Sequence, residues 1–153
     1  MVGRAAILET QRKTQMKPSI VTVCYNSQET ILRTIDSVNR QSFKLPEHVF
    51  IDGGSTDSTV SIINESCANN FKITSEPDNG IYDAMNKGFE LVSGDFVGFL
   101  NSDDWLADEH VLSDISVIFE NSEIDYVFGD IEMFDRNGKL VRRWKTDPRC
   151  AYR

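Results

Sequence analysis

Two adjacent carboxylates, Asp103 and Asp104, have the type and spacing of a metal site. They follow Phe96–Leu100, a short apolar run that predicts a buried strand, and Asp52 follows a similar run at His48–Ile51. Like charges this close raise one another's pKa unless a cation neutralises them, and carboxylate oxygens suit Mg²⁺ or Mn²⁺. Because a metal held in this way can bridge a diphosphate, the sequence indicates a metal-dependent enzyme acting on a nucleoside diphosphate compound.

The same residues have simpler interpretations when each is taken alone. Asp103 or Asp104 would also cap a helix that begins at Ala107, and the Asp52-Gly53-Gly54 segment is a common turn. A site is favoured because ligands bind beyond the carboxyl ends of parallel strands, where the polar segments after three predicted strands would meet. These segments are Tyr25-Asn26, Asp52-Gly53-Gly54 and Asn101-Ser102-Asp103-Asp104.

The elements that position these segments alternate along the chain between strands and helices. Short apolar runs predict strands at Ile20–Tyr25, His48–Ile51, Phe71–Thr74, Phe96–Leu100 and Tyr126–Phe128, and a hairpin of Ile131–Phe134 with Leu140–Trp144. Apolar residues at helical spacing predict helices over Ile31–Val38, Val60–Cys67, Ile81–Val92 and Val111–Phe119. Strands that are apolar on both faces and separated by helices predict a Rossmann-like α/β domain, with a mostly parallel sheet, helices on both faces and a C-terminal β-hairpin.

Composition places the chain among ordinary globular proteins and argues against several kinds of partner. Its 153 residues suit one domain, over 18–153, behind an N-terminal extension at 1–17 that lacks an apolar period. Residues 18–138 carry 22 acidic against 6 basic side chains, so nucleic acid is not expected as a partner. No apolar run approaches the ~20 residues that span a bilayer, and no secretory signal is present, which predicts a cytoplasmic protein.

Basic residues are concentrated after residue 138, where six of them accompany a single acid, Asp147. This tail is either a solvated edge strand or a site of peripheral association with the inner face of an anionic membrane. The cysteines fit neither metal-ligand spacing nor a disulfide framework. No GxGxxG or GxxxxGK[ST] segment occurs, so neither a dinucleotide fingerprint nor a P-loop is supported.

Three motifs resemble, in order and spacing, those of family 2 glycosyltransferases of the GT-A fold. They are Ser19-Ile20-Val21-Thr22-Val23-Cys24-Tyr25-Asn26, Ile51-Asp52-Gly53-Gly54-Ser55-Thr56-Asp57-Ser58-Thr59, and Gly94-Asp95-Phe96 with Leu100-Asn101-Ser102-Asp103-Asp104. The segment Ser75–Gly88, which reads S-E-P-D-N-G-I-Y-D-A-M-N-K-G, is similar to the branch that builds bacterial surface polysaccharides, including colanic-acid-type enzymes. The resemblance covers residues 18–135.

The resemblance implies both an activity and a set of binding residues. An enzyme of this type transfers a sugar from a nucleotide-diphosphate donor to a glycan or lipid-linked acceptor in bacterial polysaccharide biosynthesis, and it inverts the anomeric configuration. Tyr25, Asn26 and Asp52 would contact the base and ribose of the donor. Asp83 and Asn86 would face the donor sugar or the diphosphate.

Asp103 and Asp104 correspond to the family's acidic metal motif, which implies Mg²⁺ or Mn²⁺ as the cofactor and places Asp103 near the donor as well. The motif often begins with Asp, and Asn101 stands at that position, so one carboxylate is absent from the ribose or metal contact. In the family the catalytic base lies well downstream of this motif. We therefore expect the base beyond Arg153, in a chain that is truncated at its C-terminus.

Other functions stay open at this stage. A non-catalytic module or inactive fragment that binds sugar nucleotides fits the same donor motifs. Asp130 is a candidate substitute base, although its place at a strand end favours a structural role in the hairpin. A nucleotidyltransferase would need a glycine-rich, basic loop after the first strand, and Ser27-Gln28-Glu29-Thr30 contains neither glycine nor a basic residue.

Overall fold

A computed structural model of the chain describes residues 16–44, 46–68, 70–121 and 123–146. The predicted extension over 1–17 lies outside these residues except for its last two. The chain divides into two compact units, Met1–Glu120 and Asn121–Arg153. None of the helices within the described residues is long and apolar enough to cross a membrane.

The first unit is built on a parallel sheet of four strands. The elements are β1 (Pro18–Cys24), α1 (Ile31–Asn39), β2 (Glu47–Asp52), α2 (Thr59–Ser66), β3 (Phe71–Ser75), α3 (Ile81–Leu91), β4 (Phe96–Phe99) and α4 (Val111–Phe119). The order across the sheet is β3-β2-β1-β4, and every neighbouring pair is parallel. The central strands β1 and β2 are buried along their whole length, as expected for strands that are covered on both faces.

Helices cover both faces of the sheet, which confirms the predicted Rossmann-like architecture. On one face, Val21 of β1 packs with Ala84 of α3. On the other face, Phe50 of β2 packs with Ile35 of α1 and Ile63 of α2, and α4 joins this side through a neighbouring cluster. Phe50 is completely buried, and burial of a side chain of this kind contributes about 1.5–3 kcal/mol to folding.

α3 approaches the sheet closely because the small residues Ala84 and Gly88, four positions apart, are its buried residues. A Cβ at Gly88 would collide with Cγ1 of Val21 in β1, so only glycine fits there without displacement of the helix. The helix begins directly after Gly80, whose φ is +105°. The segment before α3 is attached to the end of β2, because the main-chain N of Glu76 donates to the main-chain oxygen of Asp52 at 3.0 Å.

A buried polar stripe on α1 holds the irregular segment that follows β4. The side chains of Thr34 and Ser37 in the helix, and of Gln41 just beyond its end, bond main-chain groups within residues 102–112. This segment makes few regular backbone hydrogen bonds of its own, so its main-chain polar groups need partners in other parts of the protein. α1 supplies them, which fixes the path of the chain between β4 and α4.

The predicted strands and helices of the first unit are confirmed, with bounds that differ by one or two residues. The prediction of a strand at Tyr126–Phe128 is wrong, because this segment is irregular in the structure. Its two aromatic rings stack on each other with centroids 6.0 Å apart. A strand needs a neighbour to complete its hydrogen bonds, and none of the described strands pairs with these residues.

The proposed helix start at Ala107 is also wrong, since α4 begins at Val111 with His110 at its N-cap position. Residues 107–110 form turns instead, in which Oδ1 of Asp108 accepts a hydrogen bond from the main-chain N of His110 at 2.8 Å. The acidic pair after β4 is thus several residues away from the helix. Capping of α4 does not explain the pair.

The second unit contains the predicted hairpin, in which β5 (Ile131–Phe134) and β6 (Leu140–Trp144) pair antiparallel. Asp135 closes the turn, because its Oδ1 accepts hydrogen bonds from two main-chain N–H groups, both at 2.9 Å. At the open end, Oδ1 of Asp130 accepts from the main-chain N of Thr146 at 2.8 Å and from its Oγ1 at 3.0 Å. The structural role considered for Asp130 is therefore confirmed.

Candidate functional site

A cleft with a volume of about 770 Å³ opens at the carboxyl ends of β1 and β4. β2 and β3 lie on one side of β1 and β4 lies on the other, so the cleft is at the point where the strand order reverses. Of the residues predicted from the sequence, Tyr25, Asn26, Asn101 and Asp103 line it. The structure therefore brings the segments after β1 and β4 together, as their positions in the sequence predict.

The segment after β1 is held by hydrogen bonds to the segment after β2. Asn26 has a φ of +49°, a conformation that asparagine tolerates better than most residues. Its main-chain N donates to Oγ of Ser55 at 2.7 Å, and its Oδ1 accepts from the main-chain N of Thr56 at 2.9 Å. The Asn26 side chain thus shapes the cleft wall, whereas Tyr25, which is 63% exposed, presents its ring at the opening.

The segment that carries Asp103 and Asp104 is fixed to α1. Oγ1 of the wholly buried Thr34 donates to the main-chain oxygens on either side of Asp103, at 3.0 and 2.8 Å. The guanidinium of Arg33 lies 3.2 Å from the centroid of the Trp105 ring, which follows the acidic pair directly. These contacts hold the main chain on either side of Asp103.

The acidic pair and Asn101 form a set of hard oxygen donors. Partial burial of Asp104 and the charge of Asp103 raise the pKa of the Asp104 carboxyl, and a hydrogen bond from Nδ2 of Asn101, at 3.2 Å, opposes the shift. Oδ1 of Asn101 is buried and accepts no hydrogen bond from any residue that the structure describes. Such a set fits Mg²⁺ or Mn²⁺, which commonly take one or two carboxylates and complete their coordination with phosphate or water oxygens.

Two carboxylates suffice for such a site only when a ligand or water contributes further oxygens. Within the described ranges from 16 to 146, no group of three His, Cys, Asp or Glu side chains could hold a metal by itself. An arrangement of this kind differs from a structural metal site, which the protein closes with its own ligands. The donor set therefore fits a cation that is shared with a bound anion.

Acidic side chains line the cleft, and no basic side chain accompanies them among the described residues. The charged residues of its wall are Glu29, Asp57, Asp78 and Asp103. This wall repels an anion unless a cation lies between the two charges. The oxygen donors at Asp103 and Asp104 offer a place for that cation.

Asp52 ends β2 and is completely buried. Its carboxylate accepts hydrogen bonds from the main-chain N of Gly54 at 3.2 Å, from N and Oγ of Ser55, the former at 2.9 Å, and from Oγ of Ser75 at 2.6 Å. These bonds fold the turn after β2 and tie it to the end of β3. Asp52 is not among the residues of the cleft wall, and its contact with the base or ribose stays a prediction.

Asp83 and Asn86 lie on α3 and do not belong to the cleft wall. Asp83 accepts a hydrogen bond from the main-chain N of Asn79 at 3.0 Å and lies 3.6 Å from Nζ of Lys87. The Asn79 hydrogen bond and the Lys87 charge lower the pKa of the Asp83 carboxyl. Asn86 is exposed, and the contacts of both residues with the donor stay predictions.

Asp57, Asp78 and Ser102 line the cleft although the sequence assigned none of them a contact with the donor or the metal; they occurred only within longer motifs. Oγ of Ser102 lies 2.9 Å from Oγ of Ser27, which joins the segments after β4 and β1. Each of these residues lies in a connecting segment between elements, where Asp and Ser are common for local reasons. The only feature of the sequence that points to the cleft is their position after a strand. Many residues that do not reach the cleft share this feature.

The family model described as Glycosyl transferase family 2 matches residues 19–150. The chain belongs to this family. A PGL/p-HBAD biosynthesis glycosyltransferase of Mycobacterium bovis (strain BCG / Pasteur 1173P2) is 36% identical to it over 123 residues, which make up 78% of this chain and 48% of the relative. The chain therefore spans about half the length of that curated relative.

Two solved structures share the fold. S. aureus TarS, crystallised as residues 1–349 in complex with UDP-GlcNAc, has a TM-score of 0.64 and 27% identity, over 71% of this chain and 32% of that one. The mannosyltransferase PcManGT from Pyrobaculum calidifontis, in complex with GDP-Man and Mn²⁺, has a TM-score of 0.62 and 17% identity, over 81% and 37%. The predicted GT-A-like α/β fold and the membership of family 2 are thus both confirmed.

Proposed function

We propose that this chain binds a nucleotide-diphosphate sugar through a divalent cation, as the donor-binding part of an inverting glycosyltransferase. One observation carries the proposal: the cleft at the strand-order reversal is lined by carboxylates without a basic side chain among the described residues. A diphosphate binds to such a surface only when a cation neutralises both partners. The family to which the chain belongs supplies the reaction class, and TarS, which resembles the chain, was crystallised with a nucleotide sugar.

Asp103 and Asp104 would hold Mg²⁺ or Mn²⁺, with the buried Oδ1 of Asn101 as a further oxygen donor. When bound, the cation supplies electrostatic stabilisation of the negative charge that develops on the nucleoside diphosphate as it leaves. The main chain at Gly80 and Ile81, the start of α3, lines the same cleft. Helix N-termini favour anions because their first N–H groups have no partner within the helix, so the start of α3 would add to the attraction for the diphosphate.

The remaining predicted residues have supporting roles in this proposal. Tyr25 offers an exposed ring to the base, and Asn26 shapes the wall beside it. Asp52 keeps the turn after β2 in place, and Asp83 and Asn86 follow the start of α3, towards the donor sugar or diphosphate.

An acceptor hydroxyl must lose its proton when it attacks the anomeric carbon, and this step needs a base. Asp130 is a poor candidate for this base. The hydrogen bonds from Thr146 lower the pKa of its carboxyl, and they use the carboxyl to close the open end of the hairpin. The acceptor would be a glycan or a lipid-linked glycan of a bacterial polysaccharide. The relative from Mycobacterium bovis, a PGL/p-HBAD biosynthesis glycosyltransferase, supports a biosynthetic role of this kind. We propose a cytoplasmic protein with peripheral association at the membrane.

Calorimetric titration of UDP-, GDP- and dTDP-sugars, with Mn²⁺ and with EDTA, tests the donor site. We expect at least one donor to bind with Mn²⁺, and we expect this binding to be lost in EDTA and in Asp104→Ala. The matched control is Asp36→Asn, which removes a charge from the exposed side of α1 outside the cleft. The absence of metal-dependent binding for every donor would overturn the proposal.

A second measurement separates an enzyme from a binding module. Release of the nucleoside diphosphate from the bound donor, with or without an added acceptor, would show that these residues catalyse transfer or hydrolysis. Binding without any release would instead support the non-catalytic sugar-nucleotide-binding module.

A further inference from the structure

We propose that Asp78 reads the nucleobase of the donor and selects bases with a ring N–H on their pairing edge, namely uracil, thymine and guanine. The inference rests on the proposed function, since it assigns one end of the same cleft. It goes further by naming the class of nucleotide that the cleft accepts.

Asp78 has a free carboxylate oxygen, unlike Asp57 in the same wall. Its Oδ1 accepts a hydrogen bond from the main-chain N of Gly80 at 2.8 Å, whereas Oδ2 accepts none from the part of the chain that the structure describes. Asp57 uses both oxygens within its loop, where Oδ1 accepts from Thr59 and Oδ2 accepts from the main-chain N of Gln28 at 3.2 Å. Asp78 is therefore able to accept a hydrogen bond from a ligand without breaking a bond of the fold.

The free oxygen lies beside an exposed aromatic ring because position 53 has no side chain. A Cβ at Gly53 would lie 2.7 Å from Oδ2 of Asp78 and 3.4 Å from Cδ2 of Tyr25. Any larger residue would separate the carboxylate from the ring. A base stacks on the flat face of an aromatic side chain whatever its identity, so the ring provides affinity and the carboxylate is placed to read the edge.

The position of this pair along the sheet edge suits the base end of a donor. Gly53 follows β2, Tyr25 follows β1 and Asp103 follows β4, so they mark three successive strands. Neighbouring strands are ~4.8 Å apart, which separates the outer two by roughly 10 Å. A nucleoside diphosphate bound with its phosphates at Asp103 thus directs its base towards Asp78.

The chemistry of the base edge then determines which nucleotide binds. Uracil and thymine present N3–H, and guanine presents N1–H beside its amino group, so each donates to a carboxylate in a charge-assisted hydrogen bond. Cytosine and adenine present a ring nitrogen lone pair at the same place, which repels the carboxylate. A desolvated acceptor that faces another acceptor is left without a partner, and this lowers affinity.

Equilibrium binding of UDP, dTDP, GDP, CDP and ADP in the presence of Mn²⁺ tests the assignment. We expect the first three to bind the wild type about 10- to 100-fold more tightly than CDP and ADP, the factor that a hydrogen bond to a charged group provides. Asp78→Asn keeps an oxygen for the bond to Gly80 but adds N–H donors, so it should narrow or reverse this preference. Glu29→Gln removes a charge from the same wall and should change all five affinities by a similar factor.

Equal affinity of the wild type for all five nucleotides would overturn the role of Asp78 and leave the donor site standing. So would an Asp78→Asn variant that melts at the wild-type temperature and weakens all five alike. If no nucleotide binds with Mn²⁺, the proposed function itself fails. The preference of the wild type needs no variant, so the inference remains testable even if Asp78→Asn does not fold.

Discussion

The two ends of the parallel sheet use carboxylates in opposite ways. At the amino end, Glu47 begins β2 and receives a hydrogen bond from Oγ of Ser19 at 2.5 Å and bonds from N and Oγ of Ser93 at 2.7 and 2.9 Å. Nζ of Lys72 lies 2.8 Å from the same carboxylate. At the carboxyl end, the cleft that contains Asp103 has no basic side chain in its wall among the described residues.

The pKa values follow this difference. Burial alone would raise the pKa of Glu47, but hydrogen bonds from Lys72, Ser19 and Ser93 outweigh it and lower the pKa to about 2. Burial and the neighbouring charge raise the pKa of Asp104. The fold therefore provides the partners that Glu47 needs, whereas no basic side chain lines the wall around Asp103 among the described residues. The carboxylate at the amino end of the sheet stabilises the fold, and in the proposed function the acidic pair at the carboxyl end holds a cation.

Removal of a carboxylate from the cleft should have the largest effect, and it should affect binding alone. For Asp103→Asn we expect a loss of Mn²⁺ affinity of more than about 100-fold, beyond the 10–100-fold typical when only an outer partner of a metal ligand is lost. The melting temperature in EDTA should stay the same or rise, because the repulsion within the pair is relieved. Electron paramagnetic resonance of Mn²⁺ and thermal melts measure the two properties, with Asp36→Asn as the control. Wild-type Mn²⁺ affinity in Asp103→Asn would contradict the comparison.

The corresponding change at the amino end should affect stability alone. Glu47→Gln removes the charge that Lys72 and the serines surround, and we expect the free energy of unfolding near neutral pH to fall by about 1–3 kcal/mol. Mn²⁺ affinity should not change, because the carboxylate lies at the opposite end of the strands. Urea denaturation measures the first quantity, and a variant as stable as the wild type would argue against the network.

The same variant makes a prediction about pH. The pKa of Glu47 is lowered in the fold from 4.5 to about 2, so its contribution is fully present above pH 4.5 and is lost as the pH falls towards 2. The stability difference between wild type and Glu47→Gln should therefore shrink over this interval. His48, whose pKa burial lowers to about 3, destabilises both proteins as the pH falls, and its effect cancels from the difference. A difference that does not vary with pH would mean that the charge of Glu47 contributes nothing.

The smallest expected effect comes from the support behind the acidic pair. Thr34→Val removes the hydroxyl that holds the main chain on either side of Asp103 while keeping the shape of the side chain. We expect Mn²⁺-dependent nucleotide affinity to fall about tenfold. Thr34→Ser restores the hydroxyl and should restore the affinity. If both variants lose affinity in proportion to their melting temperatures, Thr34 acts on stability rather than on the position of Asp103.

The sequence predicted the sheet well because burial on both faces leaves a strong apolar signal in β1 and β2. It did not predict the direction of Asp52. Strand side chains alternate between faces, so Asp52 shares a face with Phe50, two positions earlier, beneath the helices. The composition of the Asp52-Gly53-Gly54 turn predicts that Asp52 lies at the rim of the site. Only the face of the strand that carries Asp52 shows that its side chain is buried.

The polar stripe of α1 was missed for a related reason. Thr34, Ser37 and Gln41 have the types of an exposed helix face, yet all are buried. Their partners are main-chain groups of residues 102–112, far along the chain. The residue types around each position do not predict hydrogen bonds over such a distance in the sequence. The position of the cleft could therefore be predicted from the segments that follow each strand. The buried side chains that hold those segments could not.

The contact between Gly88 and Val21 has a consequence for how the protein can vary over evolution. Because a methyl group at 88 would occupy space that Val21 already fills, the two positions share one fixed volume. Alanine at 88 is then compatible with the fold only together with a smaller residue at 21. Among descendants of this sequence, a larger residue at 88 should occur together with a smaller one at 21, and sequences with alanine at 88 and valine at 21 should have α3, and with it the turn that carries Asp78, displaced from the sheet.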